Sequence, residues 1–409
     1  YKTNDYGATW QKIVNGIDPT TFARSIREDP DRRGLLYAGT ETGVYVSFDD
    51  GGVWQELQLD LPEVPITDLR VRQKDLVVAT QGRSLWILDD LTPLHQISEA
   101  VASAGYHLYR PRNAYRSIAR GYYAEGGQGE NPPAGLQVHY VLNAPVEDDT
   151  PMAMEILDAS GRVVFAERSP DDSPDCEASP RQRLLSRTHG ANRWSWNMQV
   201  GRFACIPEIT ATSPGLSAYP AAPGGYQVRL TVGEFSQTQS FEIMIDPRLE
   251  GIAADPVAEY AELDRLSASL YESATDMAQG VMDLRRVKEQ LDFVLGIAAS
   301  SAVTEGGEAL NQTVDEWIAK ILQKELKTFQ NAYQHEARLL MKYKDLLGRM
   351  GGANIPLTEG VKEVTADYLK VWSDIEAELQ VIKNEDVPAF NEILRAAGLP
   401  EIYLPRPVT

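Results

Sequence analysis

The sequence predicts a multidomain protein of β plus α class, with sheets up to residue 247 and helices beyond it. Three observations carry this. A turn motif recurs at a fixed offset near the N-terminus. Short apolar runs separated by turn residues come next. After residue 247 the apolar residues change to three-and-four spacing, the period of a helix.

The motif is Ser/Thr-x-Asp-x-Gly-x-x-Trp. It reads Thr3-Asn4-Asp5-Tyr6-Gly7-Ala8-Thr9-Trp10 in the first copy and Ser47-Phe48-Asp49-Asp50-Gly51-Gly52-Val53-Trp54 in the second, 44 residues later. The hydroxyl and carboxylate suit turn amides, Gly takes the backbone angle that other residues avoid, and Trp packs back onto a sheet. An offset of this size matches one four-stranded blade of a β-propeller. Leu35-Leu36-Tyr37-Ala38-Gly39-Thr40 and Gly43-Val44-Tyr45-Val46-Ser47 read as strands around a Glu41-Thr42 turn. Further strands are expected at residues 66–71, 75–80 and 83–89. Residues 1–95 thus hold about two blades, the last of a partial propeller, because closed rings typically need four to eight. The remaining blades are expected on a separate N-terminal polypeptide. Tyr1 lies inside a repeat, with no initiator Met and no signal peptide, as expected of a processed, cleaved or truncated product.

Residues 96–124 read as a connector, and Glu125-Gly126-Gly127-Gln128-Gly129-Glu130-Asn131-Pro132-Pro133 as a flexible loop. Strand patterns resume at residues 137–142, 152–157, 163–165, 192–197, 225–232 and 240–245. They predict an immunoglobulin or fibronectin III-like β-sandwich over 125–247. Residues 254–398 read as an antiparallel three-helix bundle. Tyr260, Leu263, Leu266, Leu270, Met277, Val281, Leu284, Val287, Leu291 and Val294 form the first stripe. A break at Glu305-Gly306-Gly307 precedes the second, with Leu310, Val314, Trp317 and Ile321, which ends over 348–356. Val361, Val364, Tyr368, Trp372, Ile375, Leu379 and Ile382 form the third, and residues 399–409 an extended surface tail. The Met and aromatic residues on these stripes read as core.

A net charge of -20 repels phosphate backbones and anionic lipid heads, which argues against nucleic acid and simple membrane adhesion as partners. No apolar run approaches the ~20 residues of a transmembrane helix. The cysteines are Cys176 and Cys205. A disulfide between them would close a loop of about 30 residues and contribute about 3 kcal/mol; two buried thiols are the alternative. The histidines His95, His107, His139, His189 and His335 show no metal-ligand spacing, so neither metal nor cofactor is expected.

Candidate chemistry is sparse. Arg83, Asp89 and Asp90 lie on the last expected blade, where Arg83 could reach a ligand at the propeller mouth or a salt bridge could lock closure. Arg110, Arg112 and Arg116 with Tyr109 and Tyr115 suit either a cationic, aromatic strip for an anion or an interdomain seam. Nucleophile elbow, P-loop and dinucleotide fingerprint do not occur.

The two boxes resemble the Asp boxes of bacterial sialidases and sortilin-type propellers. The chain as a whole is similar to the C-terminal part of a bacterial sortilin-like, BNR-repeat family often labelled "glycosyl hydrolase". Ala79-Thr80-Gln81-Gly82-Arg83-Ser84-Leu85-Trp86-Ile87-Leu88-Asp89-Asp90, Asn131-Pro132-Pro133-Ala134-Gly135, and Pro223-Gly224-Gly225-Tyr226 through Asp246-Pro247-Arg248 carry the resemblance. The family usually has His where Gln81 stands. The resemblance implies export to the periplasm or the extracellular space. It also raises glycoside hydrolysis, which needs two carboxylates roughly 5–10 Å apart, with an arginine cluster and a Tyr–Glu nucleophile in the sialidase version. Asp5 and Asp49 sit in separate peripheral turns and are read as structural. The expected function is therefore binding of a protein, peptide or glycan, with a hydrolase whose catalytic residues lie on other blades as the alternative.

Overall fold

The computed structural model describes residues 1–117, 129, 132–169, 185–201, 206, 218–249, 251, 253–325, 334–351 and 356–404. It is a mixed β and α molecule, with several sheets and then helices along the chain. Cys176 and Cys205, and most of the 125–133 loop, lie outside the described residues.

The first sheet is a four-stranded antiparallel meander of β1 (Ala23–Glu28), β2 (Leu36–Thr40), β3 (Val44–Ser47) and β4 (Gln55–Glu56). The second has three strands, β5 (Ile66–Arg72), β6 (Asp75–Thr80) and β7 (Leu85–Leu88). The two sheets pack on one another. Leu35, Tyr37, Val44 and Val46 of the first meet Ile66, Leu69, Leu76 and Val78 of the second, and Leu91 closes the layer. The other face of the first sheet carries Leu36, Ala38, Tyr45 and Trp54, covered by Ile13 and Ile17. The strand β1 has no apolar signal in the sequence because Ala-Arg-Ser-Ile-Arg-Glu is largely exposed; pairing with β2 holds it.

Two short helices follow, α1 (Thr92–Gln96) and α2 (Glu99–Ser103), the second inside the stretch 96–124 expected as a connector. That stretch also supplies β8 (Tyr106–Leu108) and β9 (Ala114–Arg116) to the next two sheets. One sheet has the order β13-β10-β8 and the other β12-β11-β16-β17-β9, where β9 pairs in parallel with β17. These strands are β10 (Leu136–Leu142), β11 (Met152–Leu157), β12 (Val163–Ser169), β13 (Gly190–Trp196), β16 (Gly224–Val232) and β17 (Phe235–Ile245). The strands β14 (Gln199–Val200) and β15 (Tyr219–Pro220) pair antiparallel as a two-stranded sheet. Alternate residues point inward, as Leu136, Val138, Tyr140 and Leu142 do on β10.

The helical part departs from three helices. The helix α3 (Pro256–Ile297) carries the whole first stripe buried and is capped by the Asp255 carboxylate, which accepts from the Ala258 amide. The expected break at Gly306-Gly307 lies inside α4 (Ser301–Ile321). Those glycines serve close approach: a Cβ on Gly307 would stand 2.7 Å from Leu295 and 3.1 Å from Phe390. Among the described residues, α4 ends at Ile321 and the next helix is α5 (Leu339–Gly351). The third is α6 (Glu359–Val381), a π-helical turn over Ile382–Asp386, and α7 (Val387–Ala396). Lys383 in the π turn reaches the buried Asp283 carboxylate at 2.6 Å. The tail is docked: Asn391 holds Ile402 through two hydrogen bonds, and Gln290 accepts from the Tyr403 amide. The helices and the sheets of β8 to β17 share one continuous apolar cluster, separate from the layers around the first two sheets.

Candidate functional site

The two boxes have one hydrogen-bond scheme. Thr3 Oγ1 donates to Asp5 Oδ1 at 2.8 Å and accepts from the Gly7 amide at 2.7 Å; Ser47 Oγ does the same with Asp49 at 2.8 Å and the Gly51 amide at 2.9 Å. Each Asp then takes an amide four residues on, Thr9 at 2.8 Å and Val53 at 2.9 Å. Tyr6-Gly7 and Asp50-Gly51 both sit at positive φ, which explains Gly at the second of these places. The donors hold both carboxyls low. Asp5 falls to about 2, chiefly through the Thr9 hydroxyl and amide, and Asp49 is lowered first by the Val53 amide and then by Ser47. These oxygens are committed to the turns. The tryptophans differ, however. Trp54 is buried and donates to the Ile13 carbonyl at 3.0 Å, whereas Trp10 is 61% exposed and donates only to Gly7 of its own turn.

Arg83, Asp89 and Asp90 do not form one group. Arg83 lies on the exposed turn before β7, with its backbone amide on Thr80 Oγ1 and its carbonyl accepting from Trp86. Asp89 and Asp90 lie past the other end of the strand and meet the sheet of β10. There Arg112 pairs with Asp75 at 2.8 Å, and His139 Nε2 stands 3.5 Å from Asp90 Oδ2. Asp90 Oδ1 is held by the Thr92 hydroxyl and amide, while Oδ2 is buried without a hydrogen bond. Burial works to raise the Asp90 carboxyl, but His139 and Thr92 outweigh it and lower it. Partial desolvation raises Asp89, helped by Asp75 and Asp90 and opposed by Arg112 and Arg193. The arrangement is a charged seam rather than a propeller-closing salt bridge to Arg83.

The Arg and Tyr strip also divides. Arg112 faces the β5–β7 sheet, while Arg116 lies 4.6 Å over the Tyr260 ring and donates to the Ala221 carbonyl, fastening β9 to α3. Burial lowers the Arg116 guanidinium. Tyr109 is buried beside His107, and Tyr115 is exposed. The geometry is that of two seams.

One cluster has no signature in the sequence. Asp29, wholly buried, accepts from Tyr37 Oη and lies against His95 Nε2, each at 2.9 Å, and its other oxygen takes the Asp31 and Arg32 amides. Asp29, Asp31 and His95 bring ligand atoms within 4.8 Å of one another. The bonds to Asp29 describe a strut between the first sheet and α1. Burial, and after it the Asp29 charge, pushes the Tyr37 phenol well up. The 66 residues between Asp29 and His95 hide the pair from any local pattern.

The remaining feature is that, among the described residues, apolar side chains of β7 on the second sheet are exposed. Val77 faces Ile87 and Ala79 faces Leu85 across β6 and β7. Leu85 is 70% and Ile87 59% exposed. The order β5-β6-β7 leaves β7 at the edge.

No protein-family model matches the chain, and no curated protein matches it. Among solved structures, it is similar to the extracellular domain of a putative hybrid two-component system from B. thetaiotaomicron, at 8% identity and a TM-score of 0.14. The match covers 56% of this chain and 26% of that structure. Among the described residues no helix is long and apolar enough to cross a membrane.

Proposed function

We propose that the chain is an exported interaction module of the periplasm or the extracellular space, binding a protein, peptide or glycan. In this reading the first two sheets are blades of an Asp-box propeller of the sortilin-like kind. The sheets of β8 to β17 are an immunoglobulin or fibronectin III-like sandwich, braced by the helices. Closed propellers typically have four to eight blades, so the reading calls for further blades on a separate N-terminal polypeptide. The observation that carries it is the exposure, among the described residues, of the Leu85 and Ile87 side chains on β7, beside a sheet whose two faces are both covered. The paired boxes add support, since their carboxylates accept turn amides and are not disposed toward a sugar. The test is an assay of the intact protein on sialylated and neutral glycosides. No turnover is expected; turnover that falls in Asp89→Asn or Arg83→Ala would overturn the proposal in favour of a hydrolase.

A further inference from the structure

The second sheet meets the sheet of β10 across a polar seam. The apolar cluster of the first two sheets is separate from the one that β8 to β17 share with the helices. Side chains that span the seam include Arg112, paired with Asp75 at 2.8 Å, and His139, whose Nε2 stands 3.5 Å from Asp90 Oδ2. The Asp90 carboxylate is unevenly satisfied. Oδ1 accepts from the Thr92 hydroxyl at 2.6 Å and the Thr92 amide at 3.1 Å, while Oδ2 has no hydrogen bond. The described residues themselves bury Oδ2, and the Asp90 side chain is 8% exposed. A buried acceptor left unpaired is unfavourable, the more so when it carries charge. The donor placed against it is His139, just beyond hydrogen-bond reach.

The charges around His139 point the same way. The second sheet brings three carboxylates, Asp75, Asp89 and Asp90, and two guanidiniums oppose them: Arg112, and Arg193, which sits opposite His139 on β13. Burial, and after it the Asp75 charge, raises the Asp89 carboxyl in spite of both arginines. From β8 come His107 and Tyr109, whose rings meet at 4.8 Å. Burial lowers the His107 imidazole and raises the Tyr109 phenol, so both lean to their neutral forms. The neighbouring Lys74 and Arg110 are exposed. A third cation would therefore level the seam. Histidine gains its charge between about pH 8 and 5, and an imidazolium donates from both ring nitrogens.

We infer that His139 and Asp90 form a proton-operated latch, in which the imidazolium closes on Asp90 Oδ2 and fixes the second sheet against β10, and the neutral imidazole releases it. The sign follows from the partner. A carboxylate favours the imidazolium, so the closing contact is present while the histidine is charged and is lost as pH rises through the histidine range. Burial acts to raise the Asp90 carboxyl, but His139 and Thr92 outweigh it and lower it, so Asp90 stays ionised throughout that range. The latch does not depend on what the chain binds.

The experiment is hydrogen exchange on the intact protein, read amide by amide at about pH 5.5 and about pH 8, either side of the histidine range, and corrected for the intrinsic rate of each amide. The Asp90 amide, on Asp75 Oδ1, and the Tyr109 amide, on the His139 carbonyl, report the two sides of the seam. Their protection should be about tenfold greater at the lower pH. The dependence should vanish in His139→Gln and in Asp90→Asn, which keeps an Oδ1 acceptor for Thr92, and should persist in His107→Gln. If a seam variant folds poorly, the parent protein still decides, because its His139 Nε2 proton should be visible by NMR at the lower pH and lost to exchange at the higher. Equal protection at both pH values in the parent, or an Nε2 proton that is absent at the lower pH, overturns the inference. So does a dependence that survives His139→Gln, or one lost in His107→Gln, which would assign the proton to the other imidazole.

Discussion

The first sheet and the second are built from similar strands, yet they are finished differently. The first is covered on one face by the second sheet and on the other by Ile13 and Ile17, and its outer place is filled by β4. The second is covered on one face, and its outer strand is exposed. The difference lies in the turn at the end of the third strand of each. A Ser-x-Asp-x-Gly turn sends the chain back along β3, whereas Asp90, at positive φ and held by Thr92, sends it into a helix. Among the described residues the second sheet therefore ends at β7, where the first goes on to β4.

This comparison can be broken by substitution, beginning where the effect is largest. Trp54→Ala removes a buried ring and its bond to Ile13, and should cost about 3–5 kcal/mol in denaturant unfolding. Trp10→Ala, at the same motif position, should cost less than about 1 kcal/mol because the ring is exposed; equal losses would end the distinction between the boxes. Leu69→Ala, between the two sheets, should cost about 2–5 kcal/mol and unfold both sheets together. Tyr37→Phe withdraws one donor from the buried Asp29 and should cost about 1–3 kcal/mol, with Tyr37→Leu no better. Leu85→Ser on the open face should stay within about 0.5 kcal/mol of the parent. A larger loss there would mean that the face is already covered.

The boxes also carry a pH dependence with a defined sign. The Asp5 carboxyl is lowered in the folded chain, so its contribution is present above the ordinary carboxylate range near 3.8 and is lost as pH falls toward about 2. A carboxyl-carbon NMR titration should place Asp5 near about 2. Titration near 3.8 would mean that the Thr9 and Thr3 bonds are not formed in solution. Asp89 has the opposite sign. Its raised carboxyl weakens the seam once it ionises above the folded value, and Asp89→Asn should remove that loss at neutral pH.

Much of this is legible in the residues. The box spacing marks the turns, the alternation from Leu136 to Leu142 marks β10, and every residue of the expected first stripe is buried on α3. The elements that escape such reading do so for physical causes. The Gly306-Gly307 pair looks like punctuation, but it is the gap into which Leu295 and Phe390 pack. The connector contains strands too short to show a period, and β8 and β9 exist through pairing with β10 and β17. At the site, Arg83 and Asp89 are close in sequence but lie at opposite ends of a strand. Asp29 and His95 are distant in sequence and touch. Nearness along the chain misleads in one case, and distance hides the contact in the other.

Hydrogen exchange on the free protein, read amide by amide across the two sheets, tests the central claim most directly. The ladder amides of β2 and β3 should exchange only on unfolding of the sheet, while Leu85 and Ile87 should exchange at rates near those of an unstructured peptide. Slow exchange at Leu85 and Ile87, matching that of β3, would show the edge already paired and would contradict the account.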